Sequence, residues 1–309
     1  MSGIGRVVFL GSKHIGLETL KTIWALSPET LRGVVTFDDS NDARSVLPQI
    51  KEFCIQAGLH IEIAKNRQAT EEAIKAMSPD LCLVVGWYWL LSDSLIKTIP
   101  YGIIGAHSSL LPKYRGGSPL VWAMINGERE TGFSIFSFVS DMDSGDIWLQ
   151  EKVAISDKDT IASMLENIEN KLLDSLGKNW CALLNGAIQP YAQDHSEATY
   201  CAQRMPDDGE IDWQLSAEDI YNFIRAQTLP YPGAFTVHNG KRINILNAEL
   251  FSRPYYGTPG QIARVSVTEG VVDVICGDAR AIILKTVSVD GEARPAGLVF
   301  PSIKIRLGC

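Results

Sequence analysis

The chain has 309 residues, of which 46% are hydrophobic and 21% are charged, and its net charge is −8. These values are typical of a folded globular protein, exclude an intrinsically disordered chain, and the length favours two domains. Residues 1–203 hold most of the acidic excess, with 17 basic and 24 acidic side chains. A nucleic-acid partner is therefore disfavoured but not excluded, because a local basic patch is compatible with an acidic total.

The sequence shows no signal for export, membrane insertion or metal binding. Polar Ser12 and Lys13 interrupt the first apolar run, unlike a signal peptide, and the longest apolar run, 82–91, is too short to cross a bilayer. The cysteines form no CxxC pair, and the histidines show no ligand spacing. We therefore expect a cytoplasmic protein with no membrane contact and no metal. The six cysteines, expected to be reduced thiols, are Cys54, Cys82, Cys181, Cys201, Cys276 and Cys309.

Strand and helix patterns alternate along the first half of the chain. Apolar residues at helical spacing predict helices at 45–58, 70–77 and 160–184. The alternation predicts an α/β fold with a doubly wound, mostly parallel, Rossmann-like sheet. The turn after the first strand, GSKHIG, is not a dinucleotide-binding glycine pattern, so NAD is not expected. Short β-branched and aromatic runs predict strands at 6–10, 31–36, 60–64, 80–85, 102–106 and 132–138.

The last third of the chain has a different character. Residues 187–202 lack periodicity and are rich in polar side chains, which indicates a linker. A capping box at 216–219 opens a short helix, and Asn239-Gly240 is a strong hairpin signal. We therefore predict a domain at 1–203, which includes the linker, and a smaller, β-rich, barrel-like domain at 204–309.

Two segments carry candidate chemistry. The first, AHSSLLPKYRGG over residues 106–117, directly follows a predicted parallel strand, where ligands of such sheets bind. His107 in this segment could act as an acid, a base or a hydrogen-bond donor near neutral pH. The second, DMDSGD over residues 141–146, places three carboxylates in a glycine turn after another strand.

Together these segments resemble the folate-dependent formyltransferase family, which includes methionyl-tRNA formyltransferases and sugar N-formyltransferases. The resemblance rests on HSSLLPKYRGG, PLVWAMINGERETG and DMDSGDI in this order, and on 206–213 and 230–235 in the second domain. It implies an enzyme that transfers a formyl group from 10-formyltetrahydrofolate to a primary amine.

The resemblance also implies roles for individual residues. His107 and Asp143 match the catalytic His and Asp, but the catalytic Asn falls on Gly105, so a donor for the developing oxyanion is missing. Loss of one such donor typically costs about 10²–10³ in rate unless another group replaces it. We expect a replacement by a backbone N–H, Ser108 or water. Residues implied for the folate donor are Trp87, Tyr88, Trp89, Leu90 and Asp141. Residues implied for the acceptor are Ser108, Ser109, Lys113, Tyr114, Arg115 and Gly116.

Three functions are compatible with the sequence: a small-molecule N-formyltransferase acting, for example, on an amino sugar nucleotide, a methionyl-tRNA formyltransferase, and a folate-binding protein that has lost catalysis. The first is favoured because residues 37–44 hold three acids and one base, where the tRNA-modifying relatives carry a basic loop. The sequence carries no signal of the oligomeric state.

Overall fold

The computed structural model describes residues 3–308, so Cys309 lies outside the described residues. The chain divides into two compact units. The first unit comprises Met1–Pro119, Glu130–Ala154 and Glu166–Cys201, and the second comprises Leu120–Arg129, Ile155–Leu165 and Ala202–Cys309. The division near residue 202 lies close to the predicted boundary. Unlike the prediction, two short segments from the first 203 residues group with the second unit.

The first unit combines strands with helices in alternation. Its strands are β1 (Val7–Gly11), β2 (Leu31–Phe37), β3 (Ile61–Ala64), β4 (Leu81–Val85), β5 (Ile103–His107), β6 (Arg115–Gly116), β7 (Glu130–Ser137), β8 (Ile147–Ala154) and β9 (Tyr200–Cys201). Its helices are α1 (Lys13–Leu26), α2 (Leu47–Ala57), α3 (Arg67–Met77) and α4 (Asp93–Ile96). Two further helices have residues in both units, α5 (Pro119–Ile125) and α6 (Ile161–Leu184).

Seven of these strands form one sheet, in the order β3-β2-β1-β4-β5-β7-β8. The strands from β3 to β5 are parallel, and β7 and β8 are added antiparallel. Every residue of β1 and β4 is buried, because strands covered on both faces are apolar throughout. The doubly wound, mostly parallel fold is thus confirmed. The sequence did not predict β8, an edge strand in which three consecutive polar residues, 150–152, interrupt the apolar ones.

The sheet brings four turns to one edge. The carboxyl ends of parallel strands meet at the same side of a sheet. The segments that follow β1, β2, β4 and β5 therefore share an edge, and they contain Lys13, residues 38–46, residues 86–92 and the loop after His107. This edge includes the chemical signals predicted from the sequence.

The second unit is an antiparallel sheet with two short helices. Its strands are β10 (Ala234–His238), β11 (Lys241–Leu250), β12 (Ile262–Ser266), β13 (Val271–Ile275), β14 (Ala281–Val289) and β15 (Glu292–Pro295), and its helices are α7 (Ala217–Arg225) and α8 (Ala296–Val299). The order is β10-β11-β14-β13-β12, with β15 beside β14. The predicted β-rich character is confirmed. Within the described residues β10 and β12 do not pair, so the sheet is not a closed barrel.

Among the residues that the structure describes, none of the helices combines the length and the apolar character that a bilayer crossing requires.

Candidate active site

His107 is the last residue of β5, and its ring has a defined orientation. Nε2 lies 2.8 Å from the carbonyl oxygen of Tyr114. Because a carbonyl only accepts hydrogen bonds, Nε2 carries a proton. Nδ1 faces the carboxylate of Asp143, with 3.8 Å between Nδ1 and Oδ2. Nδ1 is therefore the ring atom that can gain or lose a proton at the site.

Asp143 lies in the turn between β7 and β8, with a positive φ of 47°. Its Oδ2 accepts a hydrogen bond of 2.7 Å from the backbone N–H of Gly116. Gly116 has a φ of 105°, and a side chain there would clash with the carbonyl oxygen of Cys201. Glycine is thus required where the loop after β5 approaches the Asp143 turn. Gly116 supports Asp143 through its backbone, whereas the sequence had assigned it to the acceptor.

Gly105 lies two residues before His107 on the same face of β5, and its missing side chain is replaced by an aromatic ring. A Cβ atom built on Gly105 would lie 2.7 Å from Cζ of Phe138 and even closer to Cε1. Phe136 is the direct cross-strand partner of Gly105, and its ring centroid lies 6.1 Å from that of His107. The wall beside His107 is therefore aromatic at the position of the family Asn. Phe138 was not predicted from the sequence, although antiparallel pairing of β7 with β5 places it on this face.

The loop after β5 holds itself in shape through internal hydrogen bonds. The hydroxyl of Ser109 is buried and donates to the carbonyl of Lys113, and Ser134 donates to the carbonyl of Ser109. Ser109 therefore holds the shape of the loop, and its role in acceptor binding stays a prediction. Ser108 is partly exposed and Lys113 is exposed. Tyr114 has a φ of 58°, and its carbonyl holds His107.

Arg115, which the resemblance assigns to the acceptor, is buried. Only 1% of the residue is exposed. Its guanidinium donates to Oε1 of Gln193 at 2.6 and 3.2 Å, to Nδ1 of His195 at 3.0 Å and to the hydroxyl of Tyr200 at 3.4 Å. These partners lie in the segment predicted as a featureless linker, so this linker is a structural part of the site.

The aromatic run after β4 partly packs and partly remains exposed. The rings of Trp87, Tyr88 and Trp89 surround Phe37 at the end of β2, with centroids 5.1–5.5 Å away. Tyr88 is nevertheless 57% exposed and Leu90 83% exposed. The indole Nε1 of Trp87 is buried without a hydrogen-bond partner in the described part of the chain.

The backbone of this run is also available for binding. Within residues 3–308, residues 87–91 form no backbone–backbone hydrogen bond. Buried polar groups are normally satisfied, so the buried indole N–H of Trp87 is the group of this run that calls for a partner. Asp141, also predicted to contact the donor, is exposed at the start of its turn.

A cluster of charged residues joins the start of α1 to the segment after β2. Lys13, with a φ of 62°, donates to Asp39 at 2.6 Å and lies 2.9 Å from Asp42. Arg44 binds Asp42 through two nitrogens. Burial alone would lower the pKa of Lys13, but its hydrogen bonds to Asp39 and Asp42 outweigh burial and raise that pKa. Two cations and two carboxylates therefore neutralise one another. This cluster was not predicted from the sequence, because Lys13 and Asp39 are 26 positions apart.

The described thiols and carboxylates offer no metal centre. In the stretch 3–308, no group of three or more His, Cys, Asp or Glu side chains is arranged to hold a metal ion. The five cysteines in that stretch are free. Burial raises the pKa of Cys54 to about 11 and, with the charge of Asp278, that of Cys276 to about 12, as expected for inert core thiols.

Comparisons with known proteins identify the class. Residues 22–175 match the formyl transferase family, and residues 204–298 match the formyl transferase C-terminal domain. The chain is 30% identical over 286 residues to the methionyl-tRNA formyltransferase of Caldanaerobacter subterraneus subsp. tengcongensis, covering 91% of each protein. It is 29% identical to the methionyl-tRNA formyltransferase of Bacillus subtilis, covering 96% of this chain and 93% of that protein. The chain belongs to the folate-dependent formyltransferase family.

Solved structures share the fold at low identity. The N-formyltransferase of Helicobacter canadensis, determined with folinic acid and dTDP-3-aminofucose, has a TM-score of 0.68 at 17% identity, covering 90% of this chain and 98% of that one. HypX of Aquifex aeolicus, determined with tetrahydrofolic acid, has a TM-score of 0.66 at 18% identity, and the match covers 96% of this chain but 46% of HypX. The methionyl-tRNA formyltransferase of Clostridium thermocellum has a TM-score of 0.58 at 21% identity, covering 79% of this chain and 92% of that chain.

Proposed function

We propose that this enzyme transfers the formyl group of 10-formyltetrahydrofolate to the primary amine of a small molecule, such as an amino sugar nucleotide. The observation that carries the proposal is the pairing of His107 with Asp143 at the carboxyl edge of the sheet. A proton-exchanging nitrogen and a carboxylate side by side are what an amine needs when it attacks a carbonyl carbon and must lose a proton.

The residues at the edge fit the folate donor of the family. A pterin is a flat heterocycle with several hydrogen-bonding groups, and Trp87 offers an unpaired indole N–H beside the unpaired backbone of residues 87–91. Tyr88 and Leu90 supply exposed apolar surface next to it. When bound, 10-formyltetrahydrofolate supplies the formyl carbon, whose oxygen gains negative charge as the amine attacks.

His107 polarises the formyl group through Nδ1. Since Nε2 donates to the Tyr114 carbonyl, the protonated ring presents its second N–H from Nδ1. That N–H is directed towards the side where Asp143 lies, so the carboxylate stabilises the cationic ring. Asp143 in turn receives the proton that the amine loses, while the Gly116 N–H fixes Oδ2. As the bond from the formyl carbon to N10 of the donor breaks, the Nδ1 proton of His107 is transferred to N10, so that tetrahydrofolate leaves as a neutral amine. Catalytic hydrogen bonds are often longer before substrate binds, so the 3.8 Å separation is compatible with this role.

The aromatic wall beside His107 leaves the site without the side-chain amide that the family has at this position. Phe138 fills the space beside Gly105 and contains no hydrogen-bond donor, so no side-chain amide acts at this position. The predicted replacement by another donor is left to backbone groups, Ser108 or water around the formyl oxygen. Ser108, which is partly exposed and directly follows His107, is the nearest hydroxyl in sequence.

The charge at the sheet edge supports a small acceptor. Lys13 and Arg44 are both engaged by carboxylates of the same segment. An RNA backbone is bound through many unengaged cations, whereas the diphosphate of a sugar nucleotide needs one or two, and Lys113 is exposed in the loop after His107. In the second unit, Arg242 pairs with Asp207, and Arg264 pairs with Asp273 and Glu269.

A methionyl-tRNA acceptor is the second candidate. It is supported by the relatives with this activity, which match more than nine tenths of the chain, and by the complete C-terminal domain. The two candidates differ in their response to salt, because binding of an RNA backbone weakens steeply as salt rises.

The test of the proposal is incubation of the protein with 10-formyltetrahydrofolate and a panel of amines, including amino sugar nucleotides and amino acids, followed by mass spectrometry. We expect one acceptor to gain a single formyl group. Asp143→Asn and His107→Asn serve as inactive controls. Formylation that is equal with these variants would show non-enzymatic transfer and contradict the proposal.

A further inference from the structure

Arg115 is a buried cation without a carboxylate partner within 4.0 Å in the described part of the chain. Its three side-chain partners, Gln193, His195 and Tyr200, are hydrogen-bonding groups without a formal negative charge in the states that these bonds require. The Nδ1 atom of His195 must accept, since a guanidinium only donates. Burying a charge without a counter-charge is costly. We therefore expect Arg115 to have a role other than stabilising the fold.

Gln193 connects Arg115 to the turn that carries Asp143. Its Oε1 accepts from two nitrogens of Arg115, and its Nε2 donates to the carbonyl oxygens of Asp143 at 2.8 Å and of Gly145 at 2.7 Å. The residue is 5% exposed, so both ends of the amide are held inside the protein. A neutral amide is required here: the oxygen end matches the cation, and the nitrogen end matches two carbonyls.

The loop after β5 and the turn that carries Asp143 are therefore connected at two places. Arg115 belongs to the loop after β5, which also supplies the Gly116 N–H to Oδ2 of Asp143. Gln193 donates a hydrogen bond to the backbone carbonyl of the same aspartate. Asp143 has a φ of 47°. Asp residues tolerate this left-handed conformation better than most, yet it still costs energy and persists only where its surroundings enforce it.

We propose that Arg115 and Gln193 are positioning residues for catalysis, which act together to hold the Asp143 turn so that its carboxylate faces Nδ1 of His107. This inference rests on the proposed function for its kinetic consequence. Its structural consequence, a fixed Asp143 carboxylate beside Gly116, is independent of which acceptor is used. A displacement of about 1 Å at a reacting group can cost about a hundredfold in rate.

Gln193→Glu is the decisive variant. The carboxylate retains, and strengthens, the contact with Arg115, but it presents oxygen to the carbonyls of Asp143 and Gly145 in place of the N–H donors. We expect kcat to fall by about tenfold to a hundredfold, with the KM for 10-formyltetrahydrofolate nearly unchanged, because the lost interaction matters in the transition state. Gln193→Asn is the second variant, since it keeps the amide but shortens its reach. The matched control is Gln189→Glu, an exposed glutamine of the same segment whose amide donates to the Gly186 carbonyl.

Two further measurements separate positioning from stability and from the proposed function. Thermal melting shows whether each variant is folded at the assay temperature. Hydrogen exchange at the Gly116 amide reports its bond to Asp143 without any substrate, and Asp143→Ala sets the exchange rate expected when that acceptor is absent. We expect Gly116 in Gln193→Glu and Gln193→Asn to exchange faster, towards the Asp143→Ala rate. Wild-type kcat and wild-type exchange in a folded Gln193 variant would overturn the inference. Faster exchange in a protein that formylates no acceptor would contradict the proposed function alone.

Discussion

Phe138 occupies the place where a side chain on Gly105 would lie: a Cβ atom there would be 2.7 Å from Cζ of the ring and 3.2 Å from the carbonyl oxygen of Val84. The two residues are complementary in size across the β5–β7 pair. The smallest residue and an aromatic ring together fill a space that the family resemblance assigns to an Asn. The family's amide donor cannot be restored at this position without a change at Phe138.

The first prediction concerns this pair. Gly105→Asn alone is expected to destabilise the protein by about 1–3 kcal/mol through overpacking, without raising kcat. The double variant Gly105→Asn/Phe138→Ala is expected to recover stability with little change in kcat, because a substitute donor already serves the formyl oxygen. A gain of about tenfold or more, which an added oxyanion donor gives where none is present, would show that no substitute acts. Phe138→Ala alone is the control and is expected to give no gain. A rise in kcat for Gly105→Asn alone, with an unchanged melting temperature, would show that the ring does not block the amide.

The second prediction concerns the catalytic pair. His107→Ala and Asp143→Ala are each expected to lower kcat by about two orders of magnitude or more while the protein stays folded, since both side chains lie in the site and not in a core. The matched controls are His14→Ala and Asp174→Ala, which remove exposed members of surface ion pairs. Steady-state kinetics and thermal melting of all four variants check the prediction. Near-native turnover in either site variant would remove that residue from the mechanism.

The third prediction concerns acid stability. The Arg44 guanidinium, together with Lys13, holds the pKa of Asp42 well below its usual range. Because the folded carboxyl has the lower pKa, its contribution to stability is present above the ordinary Asp value of about 4 and is lost as pH falls through the depressed pKa. Asp42→Asn is therefore expected to flatten the fall in melting temperature between about pH 5 and pH 2.

The control for acid stability is Asp174→Asn, whose carboxylate is exposed and pairs with Lys178 on the surface of α6. Exposed pairs of this kind contribute little, so its curve is expected to follow that of the wild type. Identical curves for Asp42→Asn and the wild type would mean that the Lys13, Asp42 and Arg44 cluster does not form.

The fourth prediction uses a thiol beside the site. Burial, assisted by the charge of Asp143, raises the pKa of Cys201 to about 11. Its reaction with iodoacetamide at pH 8 is therefore expected to be slow compared with that of exposed Cys181, since the thiolate is the nucleophile. Asp143→Asn removes the negative charge and is expected to speed alkylation of Cys201 alone, as followed by peptide mass spectrometry. Equal effects on both thiols would indicate loosening of the whole protein.

Much of the fold could be predicted from local sequence patterns. Strands such as β1 and β4 are continuous apolar runs and the helices have apolar periodicity, so the parallel sheet and its ligand-binding edge followed. The sequence also drew attention to His107 and Asp143, because His107 ends a predicted strand and Asp143 lies in a glycine-containing turn after another strand. The resemblance to the family then connected them.

The remaining parts of the site depend on contacts between distant segments. Arg115 meets Gln193 across 78 positions, and no local pattern distinguishes a buried arginine from one that binds substrate. Likewise, no local pattern shows that the hydroxyl of Ser109 donates to the Lys113 carbonyl and is not free for a substrate. Phe138 could have been found by pairing β7 with β5, since size complementarity next to a glycine is visible once the register is known.

The most direct test of the account compares two acceptors under the same conditions. Formylation of an amino sugar nucleotide and of methionyl-initiator-tRNA by 10-formyltetrahydrofolate is measured at low and at near-physiological salt. We predict efficient, salt-tolerant transfer to the small amine, abolished in His107→Ala, and little transfer to tRNA, because Lys13 and Arg44 at the sheet edge are neutralised by Asp39 and Asp42. Efficient formylation of the tRNA, with affinity that falls steeply as salt rises, and no transfer to any small amine would contradict this account.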